Sequence, residues 1–256
     1  RRRPRCSAST ALPCSIELTA VWSSLQPTPD ELTALWLSIK IGLWCTALIA
    51  VPGLVTGWLL ARVRFPGKAL VDGLVHLPLV LPPVVPGYLL LLVLGRNGPL
   101  GRWLYETWGV TLAFTWQGAV IASTLMAFPL MVRAVRLAVT LVEPRLEDAA
   151  RTLGAGPLRV WLTVTVPLSL PGILTGLVLA FARSLGEFGA TVTFVGNVAG
   201  ETRTLPLAIY TYTQIPGGDG PALRLVALSI LLALAALWAS ELGARRVERL
   251  IGRRRA

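Results

Sequence analysis

The sequence predicts an all-α, polytopic transmembrane helical bundle, on three observations. Hydrophobic residues make up 54% of the 256 residues and charged residues only 14%, against about 25% charged in soluble domains. The mean hydropathy is +0.66, and the apolar runs reach the roughly twenty residues that a membrane-crossing helix needs. The basic residues cluster in short segments between those runs, as topology signals do. The net charge of +11 therefore does not point to a nucleic-acid partner. One membrane domain fills the length and leaves no room for a second soluble domain.

Residues 1 to 30 are the least readable. Arg1, Arg2, Arg3 and Arg5 precede a weak apolar stretch broken by Pro13, Ser15 and Glu17. This segment is expected to be poorly ordered or non-native and is given no function. The first span is Leu32 to Val63, with one interior charge, Lys40, close enough to its start to snorkel to the interface. A basic turn follows, with Arg62, Arg64 and Lys68 around Pro66-Gly67.

The second span is Leu70 to Leu94, broken up by Pro78, Pro82, Pro83 and Pro86. Proline removes a backbone hydrogen bond and kinks a helix. Non-helical backbone at membrane depth is tolerated only inside protein or beside a water-filled cavity. The segment is therefore expected to be a kinked helix facing a dimer axis or a pathway. The other reading is a helix that ends early and re-enters as a loop. His76, at its start, reads as an interface residue rather than a ligand.

Arg96 to Gly109 reads as a connector, with the turn signal Asn97-Gly98-Pro99 and the interfacial aromatics Trp103, Tyr105 and Trp108. The third span is Thr111 to Val132, interrupted by Pro129 and followed by Arg133 and Arg136. The fourth is Val160 to Ala182, entered through Pro167 and Pro171. At its exit Arg183 and Glu187 stand at i, i+4. Ionisable residues at membrane depth are functional candidates, although a pair that neutralises itself at a helix end explains these two as well. The polar segment 196–221 holds one short helix, Pro206 to Gln214, and is long enough to be functional. Ala222 to Ala244 is the last span, and residues 249–256 form a basic tail. Cys6, Cys14 and Cys45 show no metal spacing, so neither metal nor cofactor is expected.

Five spans result, with a sixth near Ser15 to Leu25 as the alternative. Fourteen Lys and Arg lie on one side and, residues 1 to 30 apart, five on the other. That places the 143–167 loop and the C-terminus in the cytoplasm.

The stretch Glu143 to Ile173, EPRLEDAARTLGAGPLRVWLTVTVPLSLPGI, stands apart. Pro144 suits the first turn of a helix. Leu146, Ala149, Ala150 and Leu153 make one apolar stripe. Glu147, Asp148, Arg151 and Thr152 fall on the other side, with Glu147 and Arg151 at ion-pair spacing. Gly154 supplies the left-handed residue that ends the helix. This is either a helix lying on the membrane surface or one that inserts its stripe into a groove on a soluble partner.

Asp148-Ala149-Ala150, three residues, Gly154, nine residues and Val164-Thr165-Val166-Pro167 resemble the EAA loop of binding-protein-dependent ABC importer permeases. Asp148 replaces the family's Glu, and Val164 and Val166 its Ile and Leu; Glu147 could carry the charge role from one place earlier. FPGKALVDGLVHLPLVLPPVVPGYLLL and ARSLGEFGATVTFVGNVAGETRTLPLAIYT extend the resemblance across residues 33 to 245 and look like the molybdate branch, near the sulfate permeases. The resemblance implies a type I importer transmembrane domain over 31–248, in a homodimeric permease of the bacterial inner membrane. It implies a ModC-like ATP-binding subunit on each cytoplasmic loop and a ModA-like periplasmic molybdate-binding protein. It carries the coupling role onto Glu147, Asp148, Ala149, Ala150, Gly154 and Pro167. Import would be of molybdate, with sulfate or tungstate as alternatives.

The chain is not expected to be an enzyme. Its only Gly-Lys pair is Gly67-Lys68, and Arg62 stands where the phosphate loop needs glycine. Pathway and gate candidates are Pro82, Pro83, Pro86, Arg183, Ser184, Glu187, Thr191 and Thr193. The hydroxyls are chosen because a passing dianion needs weak neutral donors. An ion-driven secondary transporter would show inverted repeats and paired intramembrane acids, and neither is visible.

Overall fold

The structure is a computed structural model that describes the backbone of residues 28–253 and the side chains through residue 242 except 240. The expectations for the first 27 residues, including a span near Ser15 to Leu25, lie outside the described residues, as do residues 254–256. Every regular element described is helical.

Helix α1 (Pro29–Arg62) opens with a reciprocal cap. The Thr28 hydroxyl accepts from the Glu31 N–H at 3.3 Å, and the Glu31 carboxylate accepts from the Thr28 N–H at 2.9 Å. Buried Glu31 also receives Arg224 at 2.8 Å, so the cap ties the start of α1 to the last described helix. The helix then passes through Pro52 and ends at Arg62.

The expected second span is two helices, α2 (Lys68–Val80) and α3 (Val84–Leu94), bent by 111°. This corrects the single kinked helix. The adjacent prolines Pro82 and Pro83 cannot donate backbone bonds, so α2 closes at Leu81 N–H to the Leu77 carbonyl and α3 restarts beyond them. No residue of α2 is buried. Its anchor is Asp72, which takes Arg136 at 2.8 Å; His76 lies 3.4 Å from the same carboxylate.

The expected connector contains a helix, α4 (Pro99–Trp108), because Pro99 sits at its first turn and Gly109 ends it at φ 67°. The third span is displaced toward the C-terminus. Helix α5 (Trp116–Thr140) starts at the Thr115 cap and runs through Arg133 and Arg136. Phe114, at φ 61°, breaks the chain before it, and the arginines ride on the helix because Arg136 finds Asp72.

Helix α6 (Pro144–Thr152) is the short helix of the 143–167 loop. Helix α7 (Pro157–Leu185) is longer than expected at both ends. A π turn at Trp161–Thr165 precedes Pro167, and the Val166 N–H reaches back to Trp161. The wider turn makes room for a proline that cannot donate to position 163. Helices α8 (Gly189–Phe194), α9 (Leu205–Thr213) and α10 (Asp219–Arg253) complete the chain. Among the described residues four helices are long and apolar enough to cross a membrane, or up to five if the bent pair counts as one span.

Helices α1, α5 and α7 form the centre, around Cys45, Ile49, Met131, Val135, Ile173 and Ala180. Small residues let the backbones approach, as membrane helices require in the absence of a hydrophobic drive between them. A Cβ on Gly57 would stand 2.7 Å from the Val135 side chain and 3.0 Å from the Val132 carbonyl. Gly73, on the loosely packed α2, faces open space.

Gly57→Val should therefore destabilise the α1–α5 contact by about 1–3 kcal/mol. Thermal unfolding in detergent would read this as a lowered midpoint, with Gly73→Val as the control. Equal midpoints for the two variants would contradict the packing.

Candidate functional site

The loop around α6 is built from residues far apart in sequence. Arg62, the last residue of α1, donates to the Val142 carbonyl at 2.7 Å and lies 3.1 Å from the Glu147 carboxylate. The Thr165 hydroxyl, on the π turn of α7, donates to Glu147 at 2.9 Å. Glu147 is 6% exposed. A carboxylate taken out of water needs a paired charge and hydrogen bonds, and this one has both.

The sequence puts Glu147 on the polar side of α6 with Asp148, Arg151 and Thr152, without saying which side faces inward. The structure turns it inward, with Arg151 3.7 Å from it and 2.7 Å from Asp148. The apolar stripe is uncovered as well: Leu146 is 43% and Leu153 88% exposed, Ala149 is exposed, and Glu147 is the helix's buried residue. Ala150 is half-buried. Leu146 also borders a cleft of about 890 Å³ with Leu137, Leu141 and Arg133.

Gly154 sits at φ 86° and ends the helix. Its N–H donates to the Arg151 carbonyl at 2.9 Å, and the Ala155 N–H to the Ala150 carbonyl at 3.1 Å, the paired bonds of a left-handed helix stop. Pro167 is exposed on α7, just past the π turn.

The pathway candidates gather at a second place, where α3 rests on α8. Pro82 and Pro83 are exposed at the break, and Pro86 is buried. A Cβ on Gly189 would stand 2.5 Å from Pro83, and one on Gly87 2.8 Å from the Ala190 backbone. Arg183 and Glu187 form an ion pair at 2.7 Å, with the Glu187 side chain 1% exposed. Glu187 also accepts the Ala190 N–H at 2.9 Å, so it caps α8. Ser184 is buried. The Thr191 hydroxyl donates to the Phe188 carbonyl at 2.9 Å, and that of Thr193 to Gly189 at 2.8 Å. Both hydroxyl protons are thus committed to their own helix in this arrangement.

Sequence reasoning missed Arg62 and Thr165 as parts of the loop. Arg62 counts there only as a topology charge, and Thr165 sits unremarked inside the Val-Thr-Val-Pro run. Among the described residues no group of three or more His, Cys, Asp and Glu could hold a metal ion.

The comparisons with known proteins bear on the family and the fold. A model described as "Binding-protein-dependent transport system inner membrane component" matches residues 53–249. The chain is 59% identical over 210 residues to the molybdenum transport system permease protein ModB of Escherichia coli (strain K12), covering 82% of this chain and 91% of that protein. It is 44% identical over 236 residues to the protein of the same name from Mycobacterium tuberculosis (strain ATCC 25618 / H37Rv), covering 92% and 87%. The sulfate transport system permease protein CysW of a Synechocystis strain is 37% identical over 192 residues, covering 72% and 69%. Among solved structures, the MetNI methionine ABC transporter in inward-facing conformations superposes with a TM-score of 0.68 at 19% identity, covering 84% of this chain and 95% of that one. A bacterial ABC transporter involved in alginate import gives 0.68 at 17% identity, covering 89% and 82%. Those identities speak to the fold alone. As a multi-pass permease subunit of an ABC importer, the chain belongs to the binding-protein-dependent transport system inner membrane component family.

Proposed function

We propose that this chain is the molybdate-translocating subunit of an importer powered by a separate ATP-binding subunit. The observation that carries the substrate is the 59% identity to a molybdenum permease, against 37% to a sulfate permease. Sulfate and tungstate are the alternative cargoes.

The coupling geometry rests on α6. Its uncovered stripe of Leu146, Ala149 and Leu153 suits a groove on an ATP-binding subunit of the ModC type. Its inward carboxylate is held by Arg62 of α1 and Thr165 of α7. A pull on α6 therefore reaches two membrane helices at once. ATP binding would draw the α6 helices of a homodimer together and open the pathway toward a ModA-like periplasmic protein, and hydrolysis would reset it. Asp148, Ala149, Ala150, Gly154 and Pro167 shape this loop. The excess of basic residues near α6 and the C-terminus favours a cytoplasmic position for both. Residues 31–248 act as one transmembrane domain, with 143–167 as its coupling loop. The energy comes from the partner, since the chain carries no phosphate-loop pattern.

For a tetrahedral dianion the pathway needs weak binding. The Arg183–Glu187 pair leaves little net charge beside the α3–α8 contact, so the cargo is neither trapped nor repelled there. Selectivity then falls to the binding protein.

Glu147→Leu leaves Arg62 partly buried without its partner, and breaking such a pair costs about 3–5 kcal/mol. Uptake should fall at least about tenfold while ATP hydrolysis by the assembled transporter continues, and Arg62→Glu with Glu147→Arg should recover part of the coupling. Loss of hydrolysis and uptake in parallel would argue against a coupling clamp.

At Gly154 space is open and only the backbone conformation is demanding. A β-branched residue there is strained by about 1–2 kcal/mol. Gly154→Val should insert normally but lose uptake, whereas Gly154→Asn, which tolerates φ above zero, should keep most of it. Full uptake by the valine variant would remove the glycine from the coupling loop.

Cargo is read from molybdenum accumulation, measured by mass spectrometry in permease-null cells carrying this chain with its ATPase and binding protein. Uptake should persist under excess sulfate. Uptake abolished by sulfate would move the chain to the sulfate branch.

A further inference from the structure

Lys40 lies on the exposed apolar face of α1 toward its start, flanked by Trp36, Leu43 and Trp44, each more than half exposed. Its ammonium lies 3.6 Å from the centre of the Trp116 ring, at the start of α5. A lysine that only snorkels extends toward water; this one is held across a helix contact. Together with Thr33, Thr115, Gln117 and Glu201 it lines a cavity of about 430 Å³.

Two opposite charges face that cavity. No carboxylate among the described residues lies within ion-pair distance of Lys40, and no cation within ion-pair distance of Glu201. They do not pair with each other. The cavity therefore offers both a cation and a carboxylate to a ligand that carries an anion and a cation.

The level of the cavity names the ligand class. Along α1, Lys40 and Arg62 are about 33 Å apart at about 1.5 Å per residue. That is close to the roughly 30 Å of a bilayer's hydrocarbon core. Arg62 marks the α6 side, so Lys40 marks the opposite boundary, where headgroups lie and tryptophans collect. Further along α1 from Lys40 the side chains of Leu43, Trp44, Leu48 and Val51 are exposed and apolar, a surface an acyl chain can lie on.

We propose that the Lys40–Glu201 cavity seats the headgroup of a zwitterionic phospholipid with a primary ammonium. The phosphate rests on the Lys40 ammonium, the lipid ammonium donates to the Glu201 carboxylate, and an acyl chain runs down the α1 face. Phosphatidylcholine carries no N–H for Glu201, and phosphatidylglycerol carries no cation.

The test is native mass spectrometry of the full transporter complex, with phosphatidylethanolamine, phosphatidylglycerol and phosphatidylcholine of identical chains supplied in turn. Phosphatidylethanolamine should be retained at least about threefold better than either other lipid, which is about 0.65 kcal/mol. Lys40→Met, which keeps the stem, should remove one retained phosphatidylethanolamine. Glu201→Gln should abolish the preference over phosphatidylglycerol. Equal retention by the Lys40→Met variant, or no preference among lipids in the unaltered protein, would overturn the proposal. Displacement of the lipid by millimolar molybdate would overturn it in favour of a free-oxyanion site.

Discussion

The clamp on Glu147 is the constraint from which the functional geometry follows. A carboxylate cannot be buried at the edge of a membrane protein without a compensating charge. Arg62 supplies that charge from the end of α1, and Thr165 supplies a hydroxyl from α7. Once those contacts are made, the rotation of α6 is fixed. Leu146 and Leu153 must then point away from the bundle. The side offered to a partner is thus decided by where a charge can be buried rather than by where the apolar residues would otherwise go.

A similar use of buried charge recurs at the other end of the bundle. Glu31 caps its own helix and receives Arg224, joining α1 to α10. Glu187 caps α8 and receives Arg183. In each case one carboxylate satisfies a helix end and a cation at once. Among the described residues each of the three buried carboxylates, Glu31, Glu147 and Glu187, has an arginine within ion-pair distance. The ion pairs lie at junctions between helices, where they fix angles rather than fill space. Asp72 extends the pattern, since α2 buries no residue of its own and meets α5 through Arg136.

Much of the architecture was legible in the sequence. The all-helical membrane fold followed from composition, and the motif from Asp148 to Pro167 led to the family that the comparisons support. Gly154 was readable as a helix stop because local backbone chemistry decides it. The errors have common physical causes. Helix α5 continues past Arg133 and Arg136 because a charge on a helix end is tolerated when a partner exists, and Asp72 lies on another helix. The break at Pro82–Pro83 was visible as a proline pair, but the 111° bend depends on how α3 settles on α8, where glycines permit close approach. The facing of α6 was not legible, because periodicity separates two sides without saying which is inward. Both partners that settle it are distant in sequence.

The loop that the family resemblance singled out and the place where the pathway candidates gather differ in how they are built. At α6 the apolar stripe stays uncovered, and the polar contacts lie underneath. At the α3–α8 contact the polar groups are turned onto their own helices, and glycine and proline make the surface. An uncovered stripe over a fixed charge suits a lever, because force arrives on the outside and is passed inward without loosening the joint. A glycine–proline contact with its hydroxyls satisfied suits a sliding surface, because moving it breaks no side-chain hydrogen bond between helices. The Arg183–Glu187 pair lies within one helical turn of that surface and can travel with α7 intact. On the proposed coupling role of α6, its motion would reach the α3 break through α7 and α8, with the Arg183–Glu187 pair carried along.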